Sequence, residues 1–202
     1  MNLTLASTSP YRRRLLERLC LPFTCVDPAI EESIREEESA SERASRLATE
    51  KASAAAKPLQ GDAIIIGSDQ VACLDTQILH KPGTREAAER QLAASSGQTV
   101  HFWTAVSVWT SPDRAPAQQV VPCEVKMRAL SAAEITRYVA LDQPLDCAGS
   151  FKWESLGITL FEAIRTDDPT ALEGLPLIAL GELLREAGIP LPLAAQSAQH
   201  GL

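Results

Sequence analysis

Ala63-Ile64-Ile65-Ile66-Gly67-Ser68-Asp69-Gln70-Val71-Ala72 sets the architecture of this chain. A continuous β-branched run is the pattern of a strand buried on both faces, as in the middle of an α/β sheet. The run breaks at Gly67-Ser68-Asp69-Gln70 and resumes with Val71. A carboxylate at the end of such a strand is costly to bury without a partner. It therefore more often binds a metal, pairs with a cation or acts as a base than packs structurally, which makes Asp69 the leading candidate for chemistry.

On the N-terminal side of this run, Ser41 to Lys57 has high helix propensity, with Pro58 and Gly61 as stops. Lys51 is flanked there by small residues, which allow close approach and an inward lysine, although a surface lysine is the commoner case. Further back, Leu5-Ala6-Ser7-Thr8-Ser9-Pro10-Tyr11-Arg12-Arg13-Arg14-Leu15-Leu16 reads as a strand, a tight loop and a helix start, with Ser9 as N-cap and Pro10 at the first helical position. Free N–H groups, hydroxyls and guanidinium forks at a helix start suit phosphate. Leu15, Leu16 and Leu19 form the buried stripe. Helical phase puts Arg12 at its edge, Arg13 between faces, and Arg14 and Arg18 in solvent. Phe23 to Val26 is a short strand candidate, followed by an acidic run through Glu38 read mostly as a solvated loop. Glu31 and Glu32 follow the strand directly and are placed to turn toward the arginines or a metal ion.

On the C-terminal side, Lys81-Pro82-Gly83 is a turn before a helix from Thr84 to Ala94. Gln98 to Trp109 and Gln119 to Met127 read as antiparallel strands around the loop Ser111-Pro112-Asp113. Ser131 and Glu134 form a capping box for the helix that ends at Leu141. Asp146 to Gly157 is glycine-punctuated and aromatic. Phe151 and Trp153 beside Glu154 either plug a core or supply the flat surface of a nucleobase pocket. Ile158 to Ile164 reads as a strand, Asp167-Asp168-Pro169 as a turn, and Leu175 to Ala187 as a closing helix. His80 and His101 are lone histidines, read as structural or surface residues.

The 202 residues suit one substantial core rather than two domains. A domain over 1–188 is expected, with a flexible tail over 189–202. The net charge of −7 argues against a surface that coats nucleic acid. Five cysteines without a CxxC pair indicate neither a disulfide framework nor a zinc site. Reduced thiols make a cytoplasmic location the default. No signal pattern or membrane span is read from the sequence.

Leu5-Ala6-Ser7-x-Ser9-Pro10-x-Arg12, Glu31-Glu32, Glu50-Lys51-Ala52, Gly67-Ser68-Asp69, Lys81-Pro82, Ala148-Gly149 and Gly174-Leu175-Pro176 together resemble the Maf family of nucleotide pyrophosphatases. The resemblance runs from residue 3 to about 188. It is closer to the branch that hydrolyses 7-methyl-GTP to 7-methyl-GMP and pyrophosphate. It implies an α/β fold like that of inosine triphosphatases, with a mixed twisted sheet, flanking helices and two lobes around a cleft. By position it implies Asp69 as proton acceptor, and Tyr11, Gln70 and Glu154 as the residues that discriminate substrates. Ser7, Arg12, Arg13, Lys51 and Lys81 would take phosphate. Glu31 or Glu32 with Asp69 would take Mg²⁺ or Mn²⁺. A homodimer is also implied.

Where the family usually has Ser-Pro-Arg-Arg, this chain has Ser9-Pro10-Tyr11-Arg12. The positively charged 7-methylguanine ring would be repelled by an arginine at residue 11, whereas the π-face of Tyr11 attracts it by about 0.5–2 kcal/mol. Glu154, where the pyrimidine branch has glutamine, accepts from the guanine N1–H and amine and adds a charge term. Metal-assisted water attack on the α-phosphate with Asp69 as base is the mechanism expected. Two other readings are a pyrophosphatase for dTTP, UTP or another non-canonical nucleotide, and a non-catalytic nucleotide-binding regulator of division.

Overall fold

The computed structural model describes residues 2–196, except 34, 36, 58–62 and 112. The sequence stops Pro58 and Gly61, and Pro112 of the loop, therefore lie outside the described residues. The order of elements is β1 (Asn2–Ala6), α1 (Pro10–Glu17), β2 (Phe23–Val26), α2 (Ala40–Ala56), β3 (Ala63–Leu74), β4 (Gln77–Leu79), α3 (Arg85–Ser95), β5 (Thr99–Trp109), β6 (Ala117–Met127), α4 (Ala132–Asp142), β7 (Phe161–Arg165) and α5 (Leu177–Glu186). One mixed sheet has the order β2-β1-β3-β5-β6-β7, with β4 paired to β3. β1 is parallel to both β2 and β3, and the ladders from β3 through β7 are antiparallel. The expected α/β fold with a mixed sheet is what forms.

β3 is central and, contrary to the break read at Gly67 to Gln70, continuous to Leu74. The antiparallel ladder to β5 runs from Ile65–Trp109 through Leu74–Val100 and carries the chain across the polar residues. On its other edge β3 pairs with β1 only as far as Ile66, and with β4 only from Ala72. Residues 67–71 thus have strand partners on one side alone. The gap lies at the carboxyl end of β1, where the chain leaves one way through α1 to β2 and returns through α2 to β3. That reversal point is where open α/β sheets place their ligands.

Side chains alternate along β3 with period two. Ile64 and Ile66 enter a core with Leu15, Leu16 and Leu180 on one face, and Ile65 packs with Ala52 and Ala55 of α2 on the other. A second core gathers α3, α4, Phe102 and Phe151. Gly67 faces α2 so closely that an added Cβ would lie 2.1 Å from the Ala48 carbonyl oxygen and 2.7 Å from the Ala52 nitrogen. Only glycine at 67 and alanine at 48 and 52 let this helix lie so close to the strand.

One sequence expectation needs correction here. Residues 158–160 are not strand: Leu156–Leu160 is a 3₁₀ turn, and β7 starts at Phe161. The Thr159 hydroxyl donates to the Leu156 carbonyl at 2.8 Å, and Gly157 packs so tightly on the Lys152 backbone that a Cβ would lie 2.3 Å from its oxygen. These local contacts curl the chain before it can pair with β6. Beyond α5, Ile189 and Leu191 pack against the first core, and the Gln196 N–H donates to the Cys20 carbonyl at 2.8 Å; residues 197–202 of the expected tail lie outside the described residues.

The capping box of α4 forms as expected, and a second, Ser39 with Glu42, opens α2. Hydrogen bonds from the Ser131 backbone and hydroxyl, aided by Arg128, push the Glu134 carboxyl down to about 2 from its ordinary 4.5. Its folded value is depressed, so its stabilising contribution is present above the ordinary value and lost as pH falls through about 2. Carboxyl NMR titration is expected to give the low value in the native chain and a higher, still depressed one in Ser131→Ala, which loses the hydroxyl but keeps the backbone donor and Arg128, with α4 weakened by about 1 kcal/mol.

Candidate active site

A cleft of about 440 Å³ opens beside the unpaired stretch of β3. The alternation of β3 gives this stretch two faces. Asp69 points with Gly67 and Val71 toward α2, whereas Ser68 and Gln70 point toward the segment that precedes α5.

On the α2 face, the Lys51 Nζ lies 2.6 Å from Asp69 Oδ1 and 2.6 Å from Glu32 Oε1. Lys51 and Asp69 are both buried. The inward lysine therefore follows from the small residues around it, because Gly67, Ala48 and Ala52 set the distance its stem must cover. Burial pushes the Glu32 carboxyl up, but the hydrogen bond and charge of Lys51, with Lys81 and Arg12 behind it, hold it below the usual carboxylate range. Glu31 is exposed and absent from the cleft wall, so the structure separates the two glutamates that the sequence left open.

The acidic run is not simply solvated. Arg46 grips Glu38 through Nε and Nη2 at 2.6 and 2.7 Å and also donates to the Ser33 carbonyl, and Arg35 pairs with Glu50 at 2.8 Å. These contacts tie the loop to α2 and present Glu32 to the cleft. Arg43, which the sequence reading passed over, donates to the Glu32 carbonyl at 3.4 Å and lines the same wall.

On the other face, the Ser68 hydroxyl and the Arg12 Nε both donate to the Gly174 carbonyl at 2.8 Å. The Gln70 amide donates to the carbonyls of Ala171 and Leu172 and to Thr104 Oγ1. Gln70 thus anchors the 3₁₀ turn Pro169–Glu173. Gly174 has φ 101°, a left-handed conformation that glycine adopts without strain. Asp168, read as a turn residue, is buried and caps α5: its Oδ2 accepts from Ile178 N at 2.7 Å and its Oδ1 from the Thr170 hydroxyl at 2.6 Å. This anchoring turns Glu173 and Gly174 toward the cleft.

The first loop contributes Ser9, Tyr11 and Arg12 to the lining. Ser9 caps α1 by accepting from Arg12 N, and buried Ser7 accepts from Ser9 N at 3.1 Å. Arg12 is held by its Nε, leaving its terminal nitrogens toward the cleft. Burial lowers its pKa, while Asp69 and Glu32 act in the opposite direction. Arg13 is not brought in: it is exposed and paired with Glu17 at 3.1 Å, so the phosphate role expected for it has no geometry here. Arg14, expected in solvent, is exposed but stacks its guanidinium 5.2 Å from the Tyr11 ring centroid. Lys81 is exposed on the cleft wall.

Tyr11 donates its hydroxyl to Asp146 Oδ2 at 3.2 Å. Burial raises its pKa, with Cys147 and Asp146 adding to the rise, so it stays a neutral phenol. The Cys147 thiol is pushed up to about 12 by burial and Asp146, which removes it as a nucleophile at neutral pH. Phe151 is core, edge-on to Phe102 and Phe161, and also reaches the cleft wall, where Trp153 and Glu154 lie. The buried Trp153 indole N–H has no partner among the described residues. Glu173, missed in the sequence, has its carboxyl raised by burial and by Glu154, with Arg18 and Arg14 opposing.

The cleft therefore has an aromatic, acidic region at Tyr11, Trp153, Glu154 and Glu173, and a cationic one at Arg12, Arg43, Lys51 and Lys81. The Maf-like protein family pattern matches residues 2–187. The chain belongs to the Maf family. Among curated Maf relatives, the 7-methyl-GTP pyrophosphatase of Xanthomonas oryzae pv. oryzae (strain MAFF 311018) is 58% identical over 190 residues, covering 94% of this chain and 98% of that protein. The 7-methyl-GTP pyrophosphatase of Pseudoalteromonas atlantica is 48% identical, covering 92% and 95%. Among solved structures, a nucleoside-triphosphatase / dITP/XTP pyrophosphatase from Mycobacterium abscessus aligns over 96% of this chain and 99% of its own, at 15% identity and a TM-score of 0.47.

The Maf chain contains no described helix long and apolar enough to cross a membrane. Among the described residues no group of three His, Cys, Asp or Glu is gathered that could hold a metal ion. Glu32 and Asp69 share one ammonium and so form a carboxylate pair. One or two carboxylates, completed by substrate phosphates and water, is the way Mg²⁺ is usually held. The donor set fits a hydrated divalent ion that arrives with a polyphosphate.

Proposed function

We propose that this Maf protein is a nucleotide pyrophosphatase that hydrolyses 7-methyl-GTP to 7-methyl-GMP and pyrophosphate. The observation that carries the reading is the division of one cleft into a carboxylate-bearing cationic region around Lys51 and an aromatic, acidic region around Tyr11. The names of its close relatives point to the same substrate.

The acidic region suits a cationic base. Asp146, Glu154 and Glu173 all line the cleft near Tyr11 and Trp153, and a 7-methylguanine ring would relieve the Glu154 repulsion that adds to burial in raising the Glu173 carboxyl. Arg14 occupies one face of the Tyr11 ring, so the base stacks from the other. Glu154 supplies the acceptor for the guanine edge. Gln70, whose amide is committed to the Pro169–Glu173 turn, acts on specificity by placing Glu173.

At the cationic region, the Arg12 fork and the Lys51 and Lys81 point charges hold phosphate oxygens. Asp69 accepts the proton of the attacking water, and Lys51 keeps its carboxylate in place. Glu32 and Asp69 would hold Mg²⁺ or Mn²⁺ through their carboxylates, and such an ion would neutralise developing charge on the phosphates.

Attack at the α-phosphate is tested by turnover in ¹⁸O-labelled water. Label is expected in 7-methyl-GMP and not in pyrophosphate. Label in pyrophosphate, or release of inorganic phosphate, overturns the assignment.

A further inference from the structure

We infer that Arg43 is a phosphate-binding residue of the cleft, holding the terminal phosphates that leave as pyrophosphate. The inference rests on the reading of the cleft as a nucleoside triphosphate site.

Arg43 is 8% exposed, yet among the described residues its guanidinium makes one long hydrogen bond, from Nη2 to the Glu32 carbonyl at 3.4 Å. Its Nη1 is buried and has no partner among the described residues. None of the ion pairs among the described residues includes it. The nearby carboxylates are committed elsewhere, Glu32 to Lys51 and Glu38 to Arg46. Glu38 lends Arg43 some of its charge but is gripped by Arg46, and a buried guanidinium with no ion-pair partner of its own among the described residues is costly, because it has given up water and received little in return. Its wall is the cleft wall, so an anion bound there supplies the direct partner.

The position defines which anion. Arg43, Leu47 and Lys51 form an i, i+4, i+8 row on α2, and all three line the cleft. Arg43 holds the Glu32 backbone while Lys51 holds the Glu32 carboxylate, so the two cations lie about one glutamate's length apart. Lys51 also holds Asp69, the proposed base, and therefore marks the reacting phosphate. A cation one residue's span farther along meets the phosphates beyond it. The planar fork of arginine grips two oxygens of such a group at once, which a lysine does not.

Titration calorimetry with inorganic pyrophosphate and with 7-methyl-GMP, on the wild-type chain, Arg43→Leu and Arg43→Lys, separates this role from a structural one. Loss of charge-assisted hydrogen bonds is expected to weaken pyrophosphate about 10- to 100-fold in Arg43→Leu, with 7-methyl-GMP within about twofold. Arg43→Lys keeps the charge and loses the fork, so an intermediate loss is expected. It remains readable if the leucine variant fails to fold. Unchanged pyrophosphate affinity in a folded variant, no pyrophosphate binding by the wild type, or equal weakening of both ligands overturns the assignment. A wild-type chain that binds pyrophosphate through Arg43 yet hydrolyses no nucleotide refutes the catalytic reading and leaves this one standing.

Discussion

Asp69→Asn is expected to lower kcat for nucleotide hydrolysis by about 10²- to 10⁴-fold, the range supplied by a positioned general base. Nucleotide binding should stay within about tenfold of wild type, or tighten. The asparagine oxygen has the same size and still accepts from Lys51, now held at 2.6 Å by Oδ1, so the β3–α2 packing survives. What disappears is a proton acceptor and one of two carboxylates placed for a divalent ion. Removing a negative charge from a site lined by Arg12, Lys51 and Lys81 does not weaken their hold on a triphosphate. Single-turnover rates and equilibrium binding, measured on the same preparation, separate the two effects. A variant with normal kcat would remove Asp69 from the chemistry. A wild-type chain that binds nucleotide without turnover would favour the regulator reading.

Gly67→Ala is expected to destabilise the fold by about 3 kcal/mol or more and to abolish turnover in whatever remains folded. Overpacking commonly costs 1–3 kcal/mol when flexible side chains can give way. Here the added methyl meets backbone, the Ala48 carbonyl at 2.1 Å and the Ala52 nitrogen at 2.7 Å, and these atoms move only if α2 moves. Lifting α2 carries Lys51 away from Asp69 and Glu32, so one substitution outside the cleft removes its central ion pairs. Denaturant unfolding measures the stability change. A stable, active Gly67→Ala chain would show that the close helix–strand approach does not set the Lys51 position.

Much of this was legible because it depends on patterns a few residues long. Three consecutive isoleucines announced a strand covered on both faces, and Ile64 and Ile66 against one layer with Ile65 against another is that prediction in atomic form. Small residues around Lys51 allowed an inward lysine, although a surface lysine is the commoner case. The helix phase that separated Arg12 from Arg13 also held, because phase depends only on residues within two turns. Long-range pairing was less accessible. Nothing near residues 67–70 announces the β5 ladder that keeps β3 continuous across them. Glu173 arrives from a turn more than a hundred residues downstream, anchored by Gln70 and Asp168. Arg14 was assigned to solvent by phase alone, which does not see the neighbouring Tyr11 ring.

Arg43 lay within reach of the sequence, in the i±4 row of Lys51, but the acidic run before it invited pairing that Arg46 and Glu38 in fact make. Glu32 was separated from Glu31 only by the geometry of that loop.

The most direct test of the substrate assignment is internal competition. Equal concentrations of 7-methyl-GTP, GTP, dTTP, UTP and inosine triphosphate share one reaction with the wild-type chain and Mg²⁺, and relative kcat/KM is read from the disappearance of each. Preferential consumption of 7-methyl-GTP by about tenfold or more over GTP, which differs only by the methyl group and its charge, is the expected result. Preference for dTTP or UTP, or equal use of GTP and 7-methyl-GTP, would contradict the roles given to Tyr11 and Glu154.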